Sequence, residues 1–218
     1  MSATGLATAA DYSEALSVAR RAKSLLALLL LLMLLGQLAI FLLVRYHVVP
    51  LPGAVAYDIA ATQPGEQSAR WTDLFHYLSG ITVLGGITLG ILLALVLMLI
   101  AHIMLVGRLI GVGKVTSSVV WALVLIVFLF PWQCFMQTDF RVCGVLWTWE
   151  ELTRGVYFVN NFSSTGWAST VMGWFRFAGA PAVAIIITLI VQLRSNRGIR
   201  MAMGEDEVLN HMLGENVR

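Results

Sequence analysis

Apolar residues gather into four long runs along this chain, and most of the charged residues lie between or beside them. The runs cover residues 24–44, 74–106, 115–135 and 170–193. A helix needs about 20 apolar residues to cross the hydrocarbon core of a bilayer. Each run reaches or approaches that length. The pattern therefore predicts an all-α, polytopic integral membrane protein whose four transmembrane helices form a bundle.

Composition agrees with this prediction and limits what else the chain can hold. Of its 218 residues 59% are hydrophobic and 12% are charged, and its mean hydropathy is +0.83. Soluble domains carry about 25% charged residues. We therefore expect one membrane domain over residues 1–218, in contact with the lipid bilayer and without a separate soluble enzyme domain. The net charge of +2 gives no argument for a nucleic-acid partner.

The distribution of basic residues predicts an orientation. If the N-terminus is cytoplasmic, nine of the 14 basic residues fall on the inner side: Arg20, Arg21, Lys23, Arg108, Lys114, Arg194, Arg197, Arg200 and Arg218. Basic residues near span ends favour the cytoplasm. Both termini and the tail 195–218 are then inside, and loops 47–72 and 131–169 are outside. This is the topology of a multi-pass protein of the plasma or inner membrane. The first run is longer than the apolar part of a signal peptide, which is about 7–15 residues, so we expect it to be retained.

Two cysteines lie in the second predicted outer loop. Cys134 and Cys143 are the only cysteines of the chain. Disulfides persist on the outer side of a cell membrane, so the topology predicts that these two form a disulfide bond. Free thiols are the alternative, and two cysteines cannot form a structural zinc site unaided.

Small residues recur every fourth position in the second run. Thr82, Gly86, Gly90 and Ala94 form one stripe. Small side chains let helix backbones approach closely in lipid. The stripe therefore predicts a helix-packing face, either inside the four-helix bundle or between two copies of the chain.

The predicted outer side is rich in tryptophan, which suits either an aromatic belt at the headgroup layer or a docking surface for a partner. Thr148 and Glu151 fit a capping box, so we expect a short helix over Trp149–Asn160. Such a helix would lie on the outer leaflet or pack on the bundle.

Few polar residues fall inside the runs. Gln37 lies in the first, and Arg176 lies early in the fourth, ahead of Pro181, which should kink the helix. A charge at this depth usually pairs with a partner. Asp139, Glu150 and Glu151 are the nearby candidates, with snorkelling or an anionic ligand as alternatives.

Histidines offer the only candidate cofactor ligands. His47 and His76 both lie near the predicted outer face, where two imidazoles would suit a b-type haem. No carboxylate pair or nucleophile arrangement predicts a catalytic site. The leading expectation is thus a non-enzymatic accessory or scaffold subunit that contacts other membrane subunits or a second copy. A redox protein holding haem or quinone is the alternative. An oligomeric small-molecule channel or transporter ranks third.

Overall fold

Four long helices make up the fold in the computed structural model, which describes residues 9–46, 66–132, 144–153, 167 and 170–204. Helix α1 covers Ala9–Arg45, α2 covers Glu66–Val106 and α3 covers Val112–Leu129. The fourth span, α4, runs over Thr170–Ala202. It contains a π-helical turn, Phe175–Gly179, followed by the α-helix Ala180–Ala202. All four are long and apolar enough to cross a bilayer, which confirms the predicted all-α, four-span membrane architecture.

Three helices extend beyond the predicted apolar runs, and one stops short. With 37 and 41 residues, α1 and α2 are about 55 and 60 Å long at 1.5 Å per residue. Helix α3 ends at Leu129, six residues before the predicted end of its run. Proline disfavours helical backbone in the residue before it and donates no N–H group. Pro131 therefore ends this helix within an apolar run whose composition did not mark the boundary.

The described helices contribute to two compact units, each containing parts of all four. The first unit comprises residues 1–29, 89–125 and 187–218, and the second comprises residues 30–88 and 126–186. The beginning of α1, the α2–α3 connection and the end of α4 thus belong to the first unit, as an even number of spans requires. Its apolar core consists of Leu16, Ala19, Ile100, Met104, Val115 and Ile199. The core of the second unit consists of Ile40, Phe41, Val44, Phe75, Trp147, Trp149, Leu152 and Phe177.

Two glycines bring the α2–α3 connection against α4 in the first unit. Gly111 has a φ of +96°, and a Cβ there would lie 2.6 Å from the carbonyl oxygen of Gly198. A Cβ at Gly198 would lie 2.7 Å from Cγ2 of Val115 and 3.1 Å from the carbonyl oxygen of Gly111. Real Cβ atoms do not approach other atoms this closely, so both positions require glycine.

Replacing Gly198 by alanine should therefore destabilise the protein by about 1–3 kcal/mol, the usual cost of overpacking. Gly113→Ala is the matched control, because no atom lies within 4 Å of a Cβ at Gly113. We expect the control to be neutral or slightly stabilising, since alanine favours helix more than glycine does. Thermal unfolding of both variants in the same detergent measures the difference. Equal midpoints would contradict the close approach.

Candidate functional site: a buried segment held by four helices

A non-helical segment lies buried in the second unit. The chain is irregular at residues 144–148, yet Gly144, Val145, Leu146 and Trp147 are all buried. Connecting segments usually run over the surface, because buried backbone N–H and C=O groups need hydrogen-bond partners. Within a membrane, non-helical backbone is tolerated only where protein or a water-filled cavity surrounds it. We call residues 144–148 the tucked segment.

Each of the four helices supplies a hydrogen bond to the tucked segment or to the residue that follows it. The N–H of Val145 donates to the carbonyl of Phe128 on α3 at 2.8 Å. The amide of Gln37 on α1 donates to the carbonyl of Trp147 at 3.4 Å. Ser79 on α2 accepts from the N–H of Trp149 at 3.1 Å.

The contribution of α4 comes from Arg176, which holds the segment and the short helix after it. One terminal nitrogen of the guanidinium donates to the carbonyl of Gly144, and the other donates to the carbonyl of Leu146 at 3.5 Å. Nε and the second terminal nitrogen also reach Oε1 of Glu151, at 2.9 and 2.7 Å. The side chains of this pair are 14% and 27% exposed. Arg176 is thus partly buried and paired with one of the three candidate carboxylates.

The helix that carries Glu151 begins at the predicted cap. Residues 149–153 are helical, and the hydroxyl of Thr148 accepts from the N–H of Glu151 at 3.4 Å. Residues 154–160 of the predicted helix lie outside the described part of the chain. Trp149 and Leu152 belong to the core of the second unit. The described turn therefore packs on the bundle, and the interpretation that it lies on the outer leaflet is wrong for these residues.

A π-helical turn places Arg176. In Phe175–Gly179 the helix is wider than an α-helix, and the N–H of Ala180 bonds to the carbonyl of Phe175. Pro181 lies two residues after this turn, and its ring would clash with the carbonyl four residues earlier in a regular α-helix. The predicted kink at Pro181 stays a prediction, but α4 departs from regular α-helical geometry just before this residue, in the π turn. Such turns occur frequently at functional sites.

The small-residue stripe of α2 is buried along its whole length, at Thr82, Gly86, Gly90 and Ala94. A Cβ at Gly86 would lie 3.2 and 3.3 Å from the two terminal carbons of Leu146 in the tucked segment. The hydroxyl of Thr82 accepts from Gln37 at 3.3 Å. The stripe therefore packs inside the chain. Gly86 leaves space for Leu146 of the tucked segment, and Thr82 binds Gln37, the side chain that donates to the segment at Trp147.

Two of the predicted outer tryptophans are core residues. Trp147 and Trp149 are 0% and 4% exposed. Trp149 stacks on Phe75 with ring centroids 5.5 Å apart, and Trp147 meets the ring of Phe177 at 6.0 Å. The aromatic-belt interpretation is wrong for these two. Trp167, by contrast, is exposed.

The described structure includes only one of the two candidate haem ligands, His76, so it does not show whether His47 and His76 lie close together. His47 lies outside the described residues, as do Cys134 and Cys143, so the haem site and the disulfide stay predictions. His76 is exposed near the beginning of α2, and its ring lies 6.2 Å from that of Tyr77. Among the described residues, no three His, Cys, Asp or Glu side chains gather as a metal site would require.

A second polar cluster, in the first unit, was missed by sequence reasoning. Lys23 is fully buried. Its Nζ donates to the hydroxyl of Ser195 at 2.8 Å and to Oδ1 of Asn196 at 2.5 Å. Sequence reasoning treated Lys23 only as a topology signal. A sequence signal existed, because Lys23 continues a buried stripe at helical spacing: Leu16, Ala19, Lys23, Ala27 and Leu30.

In comparisons with known proteins, no family model, no curated protein and no solved structure matches this chain. Function must therefore be argued from the two polar clusters themselves.

Proposed function

We propose that the protein is a non-enzymatic accessory or scaffold subunit of a membrane assembly in the plasma or inner membrane. One observation carries the proposal: α1, α2 and α4 direct polar side chains to the chain's own tucked segment or to Trp149 directly after it, and α3 binds the segment through a backbone carbonyl. Gln37, Ser79 and Arg176 each bind its backbone or that of Trp149. Groups used in this way fix a loop in place.

A fixed loop suits protein recognition. The tucked segment and the turn after it lie in the sequence between α3 and α4, in the larger of the two predicted outer loops. Binding by a preorganised loop loses less conformational entropy than binding by a free one. The exposed Trp167 belongs to the same loop, and tryptophan is enriched among residues that dominate binding energy. The partner on this surface is another membrane subunit or a second copy of the chain.

Purification from native membranes in mild detergent tests this proposal. We expect stoichiometric co-purification of a partner subunit, or a homo-oligomer, that in-membrane cross-linking reproduces. Trp167→Ala should weaken that association, whereas Val171→Ala, which removes another exposed side chain of the same region, should weaken it less. Recovery only as a monomer, without cross-links in native membranes, would refute the proposal. A Soret band in the purified protein would favour the haem alternative.

The proposal includes an orientation with both termini in the cytoplasm. Ser68→Cys, in a background where Cys134 and Cys143 are serine, should react with an impermeant maleimide on intact cells. Val217→Cys in the same background, in the predicted cytoplasmic tail, should react only after permeabilisation. The reverse pattern would invert the topology and place the tucked segment on the cytoplasmic side.

The same orientation makes a disulfide between Cys134 and Cys143 part of the proposal. Closing so short a loop would stabilise the protein by roughly 2–3 kcal/mol in the chain-entropy model. Protein taken from its native membrane should bind no maleimide before reduction and two maleimides per chain afterwards. Two labels without any reductant would show free thiols.

A further inference from the structure

We infer that the first unit binds the phosphate headgroup of an anionic phospholipid in a basic pocket at the beginning of α1. The pocket has a volume of about 370 Å³ and is lined by Ser17, Arg20, Arg21, Ser24 and Met203. Two arginines and two serines are thus among the residues that line one concave surface. Guanidinium groups bind phosphate oxygens through paired, charge-assisted hydrogen bonds, and the hydroxyl of Ser24 adds a neutral donor. The hydroxyl of Ser17 already donates to the carbonyl of Glu14 at 2.8 Å.

The buried Lys23 directly precedes the pocket residue Ser24 in sequence and adds positive charge to this part of α1. Its ammonium group donates only to neutral oxygens in the contacts described above, and no described carboxylate forms an ion pair with it. A charge in such a place is costly unless something nearby compensates it. An anion bound between Arg21 and Ser24 would lie near Lys23, because Ser24 is the next residue along the helix, and its negative charge would compensate the charge of Lys23. Ser24 is itself held by the amide of Gln192 on α4, at 3.3 Å.

The position of the pocket along α1 fits a lipid headgroup. Arg45 ends the helix, and Ser24 lies 21 residues before it, which is about 32 Å at 1.5 Å per residue. The hydrocarbon core is about 30 Å thick. When Arg45 lies at one interface, Ser24 and Arg21 therefore lie at the opposite one. Basic pockets between transmembrane helices at this level suit anionic headgroups. The inference does not depend on the proposed partner role.

Native mass spectrometry of the full-length protein in detergent tests the inference with phosphatidylglycerol and phosphatidylcholine of equal chain length. We expect one phosphatidylglycerol per chain, bound at least tenfold more tightly than phosphatidylcholine. Arg21→Gln should weaken that binding about fivefold, since each basic residue near an anionic surface contributes a factor of about that size. Arg197→Gln is the matched control, because Arg197 is exposed near the end of α4 and does not line the pocket. It should change binding less than twofold.

Several outcomes would overturn the inference. Equal affinity for the two lipids would exclude recognition of an anion, and equal losses in Arg21→Gln and Arg197→Gln would show a diffuse electrostatic effect. Displacement of the lipid by 10 mM inorganic phosphate would assign the pocket to a free anion. If neutralising Glu205, Asp206 and Glu207 together raised the affinity more than fivefold, the chain's own acidic tail would be the occupant.

A measurement without variants covers the case in which Arg21→Gln does not fold. Phosphatidylglycerol carrying a photoreactive group beside the phosphate should label the wild-type protein within residues 17–24. Labelling confined to other peptides would refute the site.

Discussion

Replacing Gly86 by leucine is expected to lower the free energy of unfolding by about 3 kcal/mol or more. A Cβ alone would lie 3.2 Å from Leu146, which is already a tight contact. The remaining three carbons of leucine would have to displace the tucked segment from α2. Overpacking a close-packed interior costs about 1–3 kcal/mol for small additions, and this change adds four carbons. In a chain of this size, 3 kcal/mol corresponds to roughly 6–12 °C in the unfolding midpoint.

Gly80→Leu provides the matched control on the same helix. Gly80 is exposed, and no atom lies within 4 Å of a Cβ placed there. Leucine favours helix more than glycine does, so this variant should be neutral or up to about 1 kcal/mol more stable. A difference between the two variants would report the contact at Gly86, because the chemical change is identical.

A double variant links the effect to Leu146. If Gly86→Leu acts by displacing Leu146, then adding Leu146→Ala should restore part of the lost stability, with a coupling of about 1 kcal/mol or more. Strictly additive losses, or a stable Gly86→Leu protein, would show that this glycine does not pack on the tucked segment.

The fold was predictable because the bilayer imposes a strong constraint on sequence. Helix α2, for example, is apolar over a length that only a membrane span requires. The helix boundaries were harder to predict from the sequence. The end of α3 at Leu129 depends on one proline inside an apolar run, whereas α1 begins well before its apolar run because Leu16 and Ala19 pack in the core of the first unit.

The site was predictable only in parts. Sequence reasoning named Glu151 among three candidate partners of Arg176 and singled out the stripe containing Gly86, but it gave no reason to place that pair beside the stripe. Their common partner is the tucked segment, whose residues Val145, Leu146 and Trp147 resemble any other apolar stretch. Tertiary contacts bury this stretch without a regular hydrogen-bonding pattern, and local periodicity carries no signal for that. The indole of Trp147 illustrates the ambiguity, because the same residue type suits both a headgroup layer and a core.

Removing the side chain of Arg176 should release the tucked segment. Arg176→Ala breaks the pair with Glu151 and removes the two guanidinium hydrogen bonds to the carbonyls of Gly144 and Leu146. Breaking a buried pair costs about 3–5 kcal/mol, and partial exposure of both side chains reduces that term. A hydrogen bond from a charged donor contributes about 1.5–3 kcal/mol. We expect a net loss of about 3 kcal/mol.

Conservative variants separate the two roles of the guanidinium. Glu151→Gln removes only the carboxylate charge and should cost about 1 kcal/mol, because the backbone contacts remain. The stability loss of Arg176→Lys should lie between those of Arg176→Ala and Glu151→Gln. One ammonium group cannot bind both the carboxylate and the carbonyls as the planar guanidinium does. If the loss of unfolding free energy is largest for Arg176→Ala, intermediate for Arg176→Lys and smallest for Glu151→Gln, the backbone contacts contribute more to stability than the ion pair does.

Hydrogen exchange locates the effect on the segment itself. The N–H of Val145 is bound to Phe128 and that of Trp149 to Ser79, so both should exchange slowly in the wild type and much faster in Arg176→Ala. Arg194→Ala is the control: Arg194 is an exposed arginine of the first unit that donates to Ser117. It should leave exchange at residues 145–149 unchanged. Protection that persists in Arg176→Ala would mean that packing of Trp147 and Leu146 alone holds the segment. The anchoring role assigned to Arg176 would then be wrong.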